Sequence, residues 1–122
     1  MDLVLRRRGR DGAPPLGRRG VPTMVVLVDL KPGVSPEDYE RWVIESYAPA
    51  ARALPSVSDW RNHRVNGLLG SDAPPPYRYV VTLDIADMEL LGRDMAGEKM
   101  SGLLAELHDL ADVTQLMAER FA

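Results

Sequence analysis

The residues best suited to chemistry lie in segment 57–65, VSDWRNHRV, which combines ionisable side chains with the alternation of a β-strand. Successive side chains of a strand point to opposite faces, so each face is considered separately. One face carries Asp59, Arg61 and His63, together with Val57 and Val65. The other carries Trp60, Asn62 and Arg64. An unpaired buried charge is strongly unfavourable, so the ionisable face predicts either a functional site or a solvent-exposed edge strand.

His63 is the strongest candidate for a general acid or base, because an unperturbed imidazole titrates near pH ~6.5. Asp59 or Asp84 would orient the ring, and Arg61 or Asp59 would be its electrostatic partner. We therefore predict His63, Arg61 and Asp59 as catalytic residues. The opposing interpretation places His63 in solvent on an edge strand, and the sequence favours neither. For His108, a half-exposed position near a helix C-terminus is the simpler interpretation.

Aromatic side chains form a second set of candidates. Tyr39, Trp42 and Tyr47 recur at helical spacing and would point to one face of a helix. Tyr79 lies on the apolar face of a later strand. With Trp60, these residues predict the walls of a pocket for a flat aromatic substrate, with tyrosine hydroxyls as hydrogen-bond donors. The alternative is that the stripe is ordinary core, which is favoured for Trp42.

The first strand, turn and helix have clearly marked boundaries. Residues 24–30 are mostly apolar and β-branched, which predicts a largely buried strand. Pro32 and Gly33 suit the two central positions of a type II turn, which requires a positive φ at the second. Ser35 is predicted as the N-cap of the helix that follows.

The later elements complete a β-α-β-β-α-β order. Pro49 predicts a kink or restart of the first helix near residue 48. Further strands are predicted at 57–65, 77–85 and 112–121, and a second helical region, capped by Asp87 and weakened at Gly97, at 88–111. The last strand also contains residues that suit a helix. This order is that of the ferredoxin-like α+β fold, a four-stranded antiparallel sheet with both helices on one face.

The uncovered face of such a sheet would expose an apolar patch. Its members are predicted to be Val25, Leu27, Val80 and Leu116. Large exposed apolar patches are uncommon on monomers. We therefore predict an isologous homodimer that packs through the open sheet face.

Composition limits the number of domains, the kinds of site and the partners that this chain can have. A chain of 122 residues predicts one domain, and the absence of cysteine excludes disulfides and thiolate metal sites. Residues 1–23 hold six arginines against two aspartates, a charge of +4, so the overall −3 leaves −7 for residues 24–122. An acidic body argues against a nucleic-acid partner. No apolar run reaches the ~20 residues of a membrane span, so no membrane partner is expected. The absence of cysteine fits a cytoplasmic location.

The N-terminal segment 1–23 is rich in Arg, Gly and Pro and lacks hydrophobic periodicity. Such a segment cannot bury enough apolar surface to offset the entropy of ordering it. We predict a disordered extension, or a start codon assigned too early, followed by one domain at 24–122.

Three stretches of the sequence resemble a known family. VDLKPGVSPEDYERWV, YAPAARALPSVSDWRNHRVNG and YRYVVTLDIAD resemble the small dimeric α/β-barrel proteins, and most closely the REDY-like, or HapK-like, group. The resemblance implies that each subunit encloses an apolar cavity between its sheet and its helices. The group is associated with biosynthesis of prodigiosin-like and bisindole secondary metabolites. The wider superfamily includes cofactor-free monooxygenases, polyketide cyclases, lactone isomerases and stress-response proteins.

The predicted function combines this resemblance with what the sequence lacks. There is no zinc or haem motif and no glycine-rich phosphate loop, so no cofactor or metal is expected. We predict a cofactor-independent enzyme of secondary metabolism that acts on a hydrophobic aromatic intermediate by acid–base catalysis. The alternative is a non-catalytic small-molecule-binding or stress-response protein. A cavity lined by apolar groups alone, with His63 in solvent, would favour that alternative.

Overall fold

The computed structural model describes residues 22–122, which form a four-stranded antiparallel sheet and its helices. The strands are β1 (Pro22–Leu30), β2 (Val57–Arg64), β3 (Tyr79–Ile85) and β4 (Ala111–Glu119). The helices are α1 (Pro36–Trp42), α2 (Ala48–Arg52), α3 (Met88–Met95) and α4 (Glu98–Leu110), with a π-helical turn (Val43–Tyr47) between the first two. The strands lie in the order β2-β3-β1-β4, which confirms the ferredoxin-like α+β fold.

The prediction for the N-terminal extension falls almost entirely outside the described residues. Of the segment 1–23, only Pro22 and Thr23 are described, and they form the first two residues of β1.

Alternation along the central strands separates the two faces of the sheet. In β3 every second residue is buried: Tyr79, Val81, Leu83 and Ile85. Val26 and Val28 of β1 pair with members of this set and lie on the same face. The helices pack on this face and contribute Tyr39, Val43, Leu91 and Leu107 to the core.

The predicted turn and helix start are confirmed. Gly33 has φ +89°, a left-handed value that a side chain would strain. The N–H of Val34 donates to the carbonyl of Lys31 at 3.1 Å, which closes the turn. The hydroxyl of Ser35 accepts a hydrogen bond from the N–H of Asp38 at 3.0 Å, so Ser35 is the N-cap of α1.

The kink predicted at Pro49 takes the form of the π-helical turn, Val43–Tyr47. Proline has no N–H, and its ring clashes with the carbonyl four residues earlier, so regular α-helical bonding is interrupted here. The N–H of Ala48 instead donates to a carbonyl five residues earlier. A π-turn brings residues five apart toward one face. Trp42 and Tyr47 accordingly stack, with ring centroids 5.1 Å apart and an interplanar angle of 11°.

The second helical region divides at the predicted weak point. The carboxylate of Asp87 accepts a hydrogen bond from the N–H of Leu90 at 3.0 Å and caps α3. α3 ends at Met95, and Gly97 is the N-cap of α4. The segment that follows is a strand, as predicted, because β4 pairs with β1 along its whole length.

β2 departs from the predicted alternation at Ser58. Val57 pairs with Ile85 and Asp59 pairs with Asp84, so the register shifts between them. A bulge of this kind places an extra residue in one strand. Val57 therefore lies on the helix side with Ile85, whereas Asp59 lies on the open side. The prediction that Val57 shares a face with the ionisable residues of this strand is wrong.

Ser56 fixes the entry into β2. It is fully buried, and its hydroxyl donates to Oδ2 of Asp94 at 2.6 Å. Its backbone N–H bonds the same oxygen at 3.3 Å. The end of α3 is thereby tied to the start of the strand that carries most of the candidate site residues.

The open face of the sheet carries the predicted apolar patch. The register places Val25 beside Thr82 and Leu116, and Leu27 beside Val80. Leu116 is 47% exposed. The placement of these four apolar residues on one face is confirmed, and the homodimer that would cover them stays a prediction.

Candidate functional site

A cavity of about 250 Å³ lies between the helix-side face of the sheet and the helices. Tyr39 and Tyr47 from the helical segment, and Trp60 from β2, form its aromatic wall. Two amides, Asn62 and Gln115, add polar groups, and the other described residues of the lining are aliphatic side chains and methionines. An apolar cavity with a few polar groups is typical of small-molecule sites. We call this space the inner cavity.

Trp60 is held firmly in the wall of the inner cavity. It is 5% exposed and meets Tyr47 edge-to-face at a centroid distance of 5.3 Å, a favourable aromatic arrangement. Arg52 places its guanidinium 5.5 Å from the centroid of the indole and donates to the Trp60 carbonyl at 3.3 Å. These contacts with Tyr47 and Arg52 orient the indole within the cavity wall.

The two tyrosines of the inner cavity remain protonated at neutral pH. Burial, followed by the charges of Tyr47 and Tyr79, raises the pKa of Tyr39. Burial also raises the pKa of Tyr47. Both phenols can therefore donate hydrogen bonds to a bound ligand, and neither is available as a base near neutral pH.

Asn62 has an unsatisfied polar group at the inner cavity. Its Nδ2 is buried and has no hydrogen-bond partner within the described chain. A buried donor without a partner costs ~1–3 kcal/mol, and such groups are uncommon in folded proteins. Asn62 pairs with Val81 in the strand register and so faces the helix side. A ligand oxygen in the inner cavity would supply the missing acceptor.

An outer groove of about 310 Å³ adjoins the inner cavity and shares Tyr39 and Asn62 with it. A polar cluster lies along this groove. Arg64 Nε donates to Glu40 at 2.8 Å, and the hydroxyl of Tyr79 donates to the same carboxylate at 2.8 Å. The cluster joins α1 to the ends of β2 and β3.

The cluster fixes the charge of each of its members. Hydrogen bonds from Arg64 and then Tyr79 lower the pKa of Glu40 from its usual 4.5 to about 2. Burial, and then the bond to Glu40, raises the pKa of Tyr79 to about 12. Glu40 is therefore an ionised carboxylate at neutral pH. It is a poor general base, because a group with so low a pKa has little affinity for a proton. The cluster is suited to positioning the groove wall.

The predicted catalytic residues Asp59, Arg61 and His63 lie on the open side of the sheet, away from the inner cavity. His63 pairs with Val80, which faces the same side, and its side chain is exposed at the rim of the outer groove. Arg61 bonds Asp59 at 3.1 Å and lies 3.9 Å from Asp84. Both carboxylates predicted to orient His63 therefore face Arg61 instead.

The predicted substrate-binding aromatic residues do not all lie in one site. Tyr39, Tyr47 and Trp60 line the inner cavity, and Tyr79 lines the outer groove. Trp42 lines neither space. It stacks on Tyr47, and its Nε1 donates to Glu106 at 2.7 Å, so it supports the wall from behind.

No role was predicted from the sequence for two polar residues that line the inner cavity. Asn62 occupies the helix side of β2, where alternation from Trp60 could have placed it. Gln115 lies on β4, opposite Val26. In the sequence, the one feature that could have indicated a role for Gln115 was its place on the same strand face as the apolar Val113 and Met117. His108, for which a half-exposed position was predicted, is exposed. Its backbone carbonyl accepts a hydrogen bond from Lys31.

Comparison with known proteins places this arrangement in a family. The family model of the REDY-like protein HapK matches residues 22–121. The chain belongs to the HapK family of REDY-like proteins. The resemblance of its sequence to this group is thereby confirmed. Curated protein sequences gave no significant match to the chain.

Solved structures share the fold of this HapK-family chain. HapK from Hahella chejuensis is 26% identical, with a TM-score of 0.68, over 83% of this chain and 93% of its own. SnoaB from Streptomyces nogalater, a cofactor-independent oxygenase, is 17% identical, with a TM-score of 0.65, over 83% and 93%. A dimeric ferredoxin-like protein of unknown function from Thermobifida fusca is 19% identical, with a TM-score of 0.65, over 81% and 90%. Within residues 22–122, no helix has the length and apolar character needed to cross a bilayer.

Proposed function

We propose that this protein is a cofactor-independent enzyme of secondary metabolism that binds a small hydrophobic, aromatic intermediate in the inner cavity. The observation that carries the proposal is the Nδ2 of Asn62, which has no partner among residues 22–122 and lies in an apolar cavity with an aromatic wall. The described part of the chain offers this donor no acceptor, and a ligand oxygen would satisfy it. HapK-family membership, and the cofactor-independent activity of the structurally similar SnoaB, agree with this class of enzyme.

The chemistry that the inner cavity can perform is stabilisation of negative charge on a substrate oxygen. Asn62 and the neutral phenols of Tyr39 and Tyr47 are hydrogen-bond donors in a water-poor space. Donors fixed in such a space stabilise an oxyanion strongly. A carbonyl held there becomes more acidic at its neighbouring C–H bond. Loss of that proton to solvent or to a base gives an enolate, and return of a proton to carbon completes an isomerisation or exchange.

His63 remains our proposed acceptor of that proton, with Arg61 and Asp59 as its charged neighbours. Since its side chain lies on the other side of β2 from Asn62, this role requires a substrate that extends from the inner cavity into the outer groove. The rim position of His63 in that groove is the observation that supports the role.

The test uses 2-tetralone, a bicyclic ketone with an acidic C–H bond beside its carbonyl. Exchange of that hydrogen for deuterium is followed by NMR in D₂O for the wild type and for Asn62→Leu. We expect the wild type to accelerate exchange over buffer, and Asn62→Leu to lose about 100-fold of that rate. Asn62→Leu should also equal or exceed the wild type in stability to urea, since it removes an unsatisfied buried group. Loss of folding in this variant would show that Asn62 is structural.

His63→Ala is the matched comparison, because it alters the adjacent residue on the opposite face of the same strand. If His63 accepts the proton, the exchange rate falls about 100-fold in this variant as well. An unchanged rate removes His63 from the mechanism and leaves Asn62 as the main catalytic group.

The alternative is a binding protein without catalysis, and one observation favours it. Within the described chain, the ionisable groups that line the inner cavity are phenols whose pKa is raised, and the only imidazole near it lies across the strand. Binding of 2-tetralone, measured by equilibrium dialysis, without any acceleration of exchange would support this alternative.

A further inference from the structure

Asn62 and Gln115 lie at the two ends of one row of residues across the sheet. In the strand register Asn62 pairs with Val81, Val81 pairs with Val26, and Val26 pairs with Gln115. All four line the inner cavity. Two valines therefore form an apolar floor with one amide at each edge.

The neighbouring rows of the same face lack this arrangement. One of them is apolar from edge to edge: Trp60, Leu83, Met24 and Met117. The other has polar groups at one edge only, with an apolar opposite end: Arg64, Tyr79, Val28 and Val113. Arg64 and Tyr79 are already bonded to Glu40. The row between Asn62 and Gln115 is thus the one whose two ends offer amides to the cavity.

The spacing of the strands sets the length of a ligand that reaches both amides. Neighbouring strands lie ~4.8 Å apart, so three spacings separate the strands of Asn62 and Gln115 by ~14 Å. Two hydrogen bonds of ~2.9 Å each leave ~8 Å between the polar atoms of the ligand. The cavity volume of about 250 Å³ lies near the lower limit of ligand pockets. Length and volume together fit two fused rings along this row.

The two amides differ in their surroundings, and this difference orients the ligand. Nδ2 of Asn62 is buried and has no partner in the described segment 22–122, so the end of the ligand that meets it must carry an acceptor oxygen. Gln115 is exposed on the edge strand β4, so it lies at the rim. Its amide can accept and donate hydrogen bonds, and it can bind either kind of polar group.

We infer that the inner cavity selects a flat two-ring molecule with an oxygen at each end, one bound by Asn62 and the other by Gln115. The inference rests on the proposed function, because it assumes that the inner cavity is the ligand site. It adds Gln115 as a specificity-determining residue and defines the ligand by the distance between its two polar atoms.

The test compares naphthalene, 2-naphthol and 2,6-dihydroxynaphthalene, which share one ring system and differ in the number of hydroxyls. Affinities are measured by equilibrium dialysis for the wild type, Asn62→Leu and Gln115→Leu. Each hydroxyl that gains an amide partner should improve affinity about three- to tenfold in the wild type. Gln115→Leu should abolish the gain of the diol over 2-naphthol. Asn62→Leu should reduce the gain of 2-naphthol over naphthalene.

The outcomes separate this inference from the proposed function. If 2-naphthol binds through Asn62 but the diol gains nothing, or if Gln115→Leu leaves the diol's gain unchanged, the inference is overturned and the proposed function stands. If none of the three compounds binds the wild type, both are overturned. Gln115→Glu is a second variant that keeps an acceptor at the rim, and it should retain part of the diol's gain if folding is preserved.

Discussion

Neutralising Glu40 should make the stability of this protein less dependent on acid pH. The carboxylate accepts hydrogen bonds from Arg64 and Tyr79, which lower its pKa from 4.5 to about 2. If that whole difference acted on folding it would amount to ~3 kcal/mol. The side chain of Arg64 is 64% exposed, and solvent screens exposed pairs, so we expect Glu40→Gln to cost ~1 kcal/mol near neutral pH.

The sign follows from the lowered pKa in the folded state. A carboxylate with a depressed pKa contributes its full stabilisation above the unfolded value of 4.5 and loses it as the pH falls toward 2. The assay is urea unfolding of the wild type and Glu40→Gln at several pH values. The difference in their free energies of unfolding should shrink by half or more between pH ~7 and pH ~3. Glu45→Gln, an exposed glutamate in the π-helical turn, is the control. A difference for Glu40→Gln that stays constant over this range would refute the reasoning.

Two further predictions concern the open face and the entry into β2. Leu116→Arg should convert a homodimer to a monomer, as measured by light scattering. Met117→Arg, on the other side of β4 and 53% exposed, should leave the dimer intact. A monomeric wild type would rule out the proposed dimer. Ser56→Ala should destabilise the protein by ~1–3 kcal/mol in urea, because Asp94 loses the hydroxyl at 2.6 Å. Ser58→Ala, at the exposed bulge, should change stability by less than ~0.5 kcal/mol, and equal effects of the two alanines would contradict this account.

The order of elements could be predicted from the sequence because each signal was local. The turn at Gly33, the cap at Ser35 and the alternation of residues 79–85 depend on residues within a few positions of one another. The open-face patch followed from the same alternation. These features need no knowledge of distant partners, and all of them are present in the structure.

The candidate site was harder to predict because two irregularities change which way side chains point. The bulge at Ser58 has no local sequence signature, and it separates the face of Val57 from that of Asp59. The π-helical turn before Pro49 brings Tyr47 against both Trp42 and Trp60, an outcome that regular helical spacing does not give. The polar residues of β2 favoured His63 as the candidate. The buried group without a partner in the described chain belongs to its neighbour Asn62.

Asn62 shows what a single sequence cannot supply. That its Nδ2 lacks an acceptor among the residues that the structure describes depends on the positions of the groups around it. Those groups come from β3, the helices and the far edge of the sheet. Gln115 is a similar case, since its place opposite Val26 is set by pairing between strands more than eighty residues apart in the chain. Register between distant strands decides which polar residues share a row, and local patterns do not encode it.

The two-sided character of β2 limits how this strand can evolve. Between residues 59 and 64, side chains alternate between the helix side and the open face of the sheet. Point substitutions can therefore alter ligand preference at one residue and leave the surface chemistry of its neighbours untouched. An insertion or deletion within the strand would exchange the two sets at once, with Asp59, Arg61 and His63 turned inward. Related proteins should thus vary in the residues of this strand far more readily than in its length.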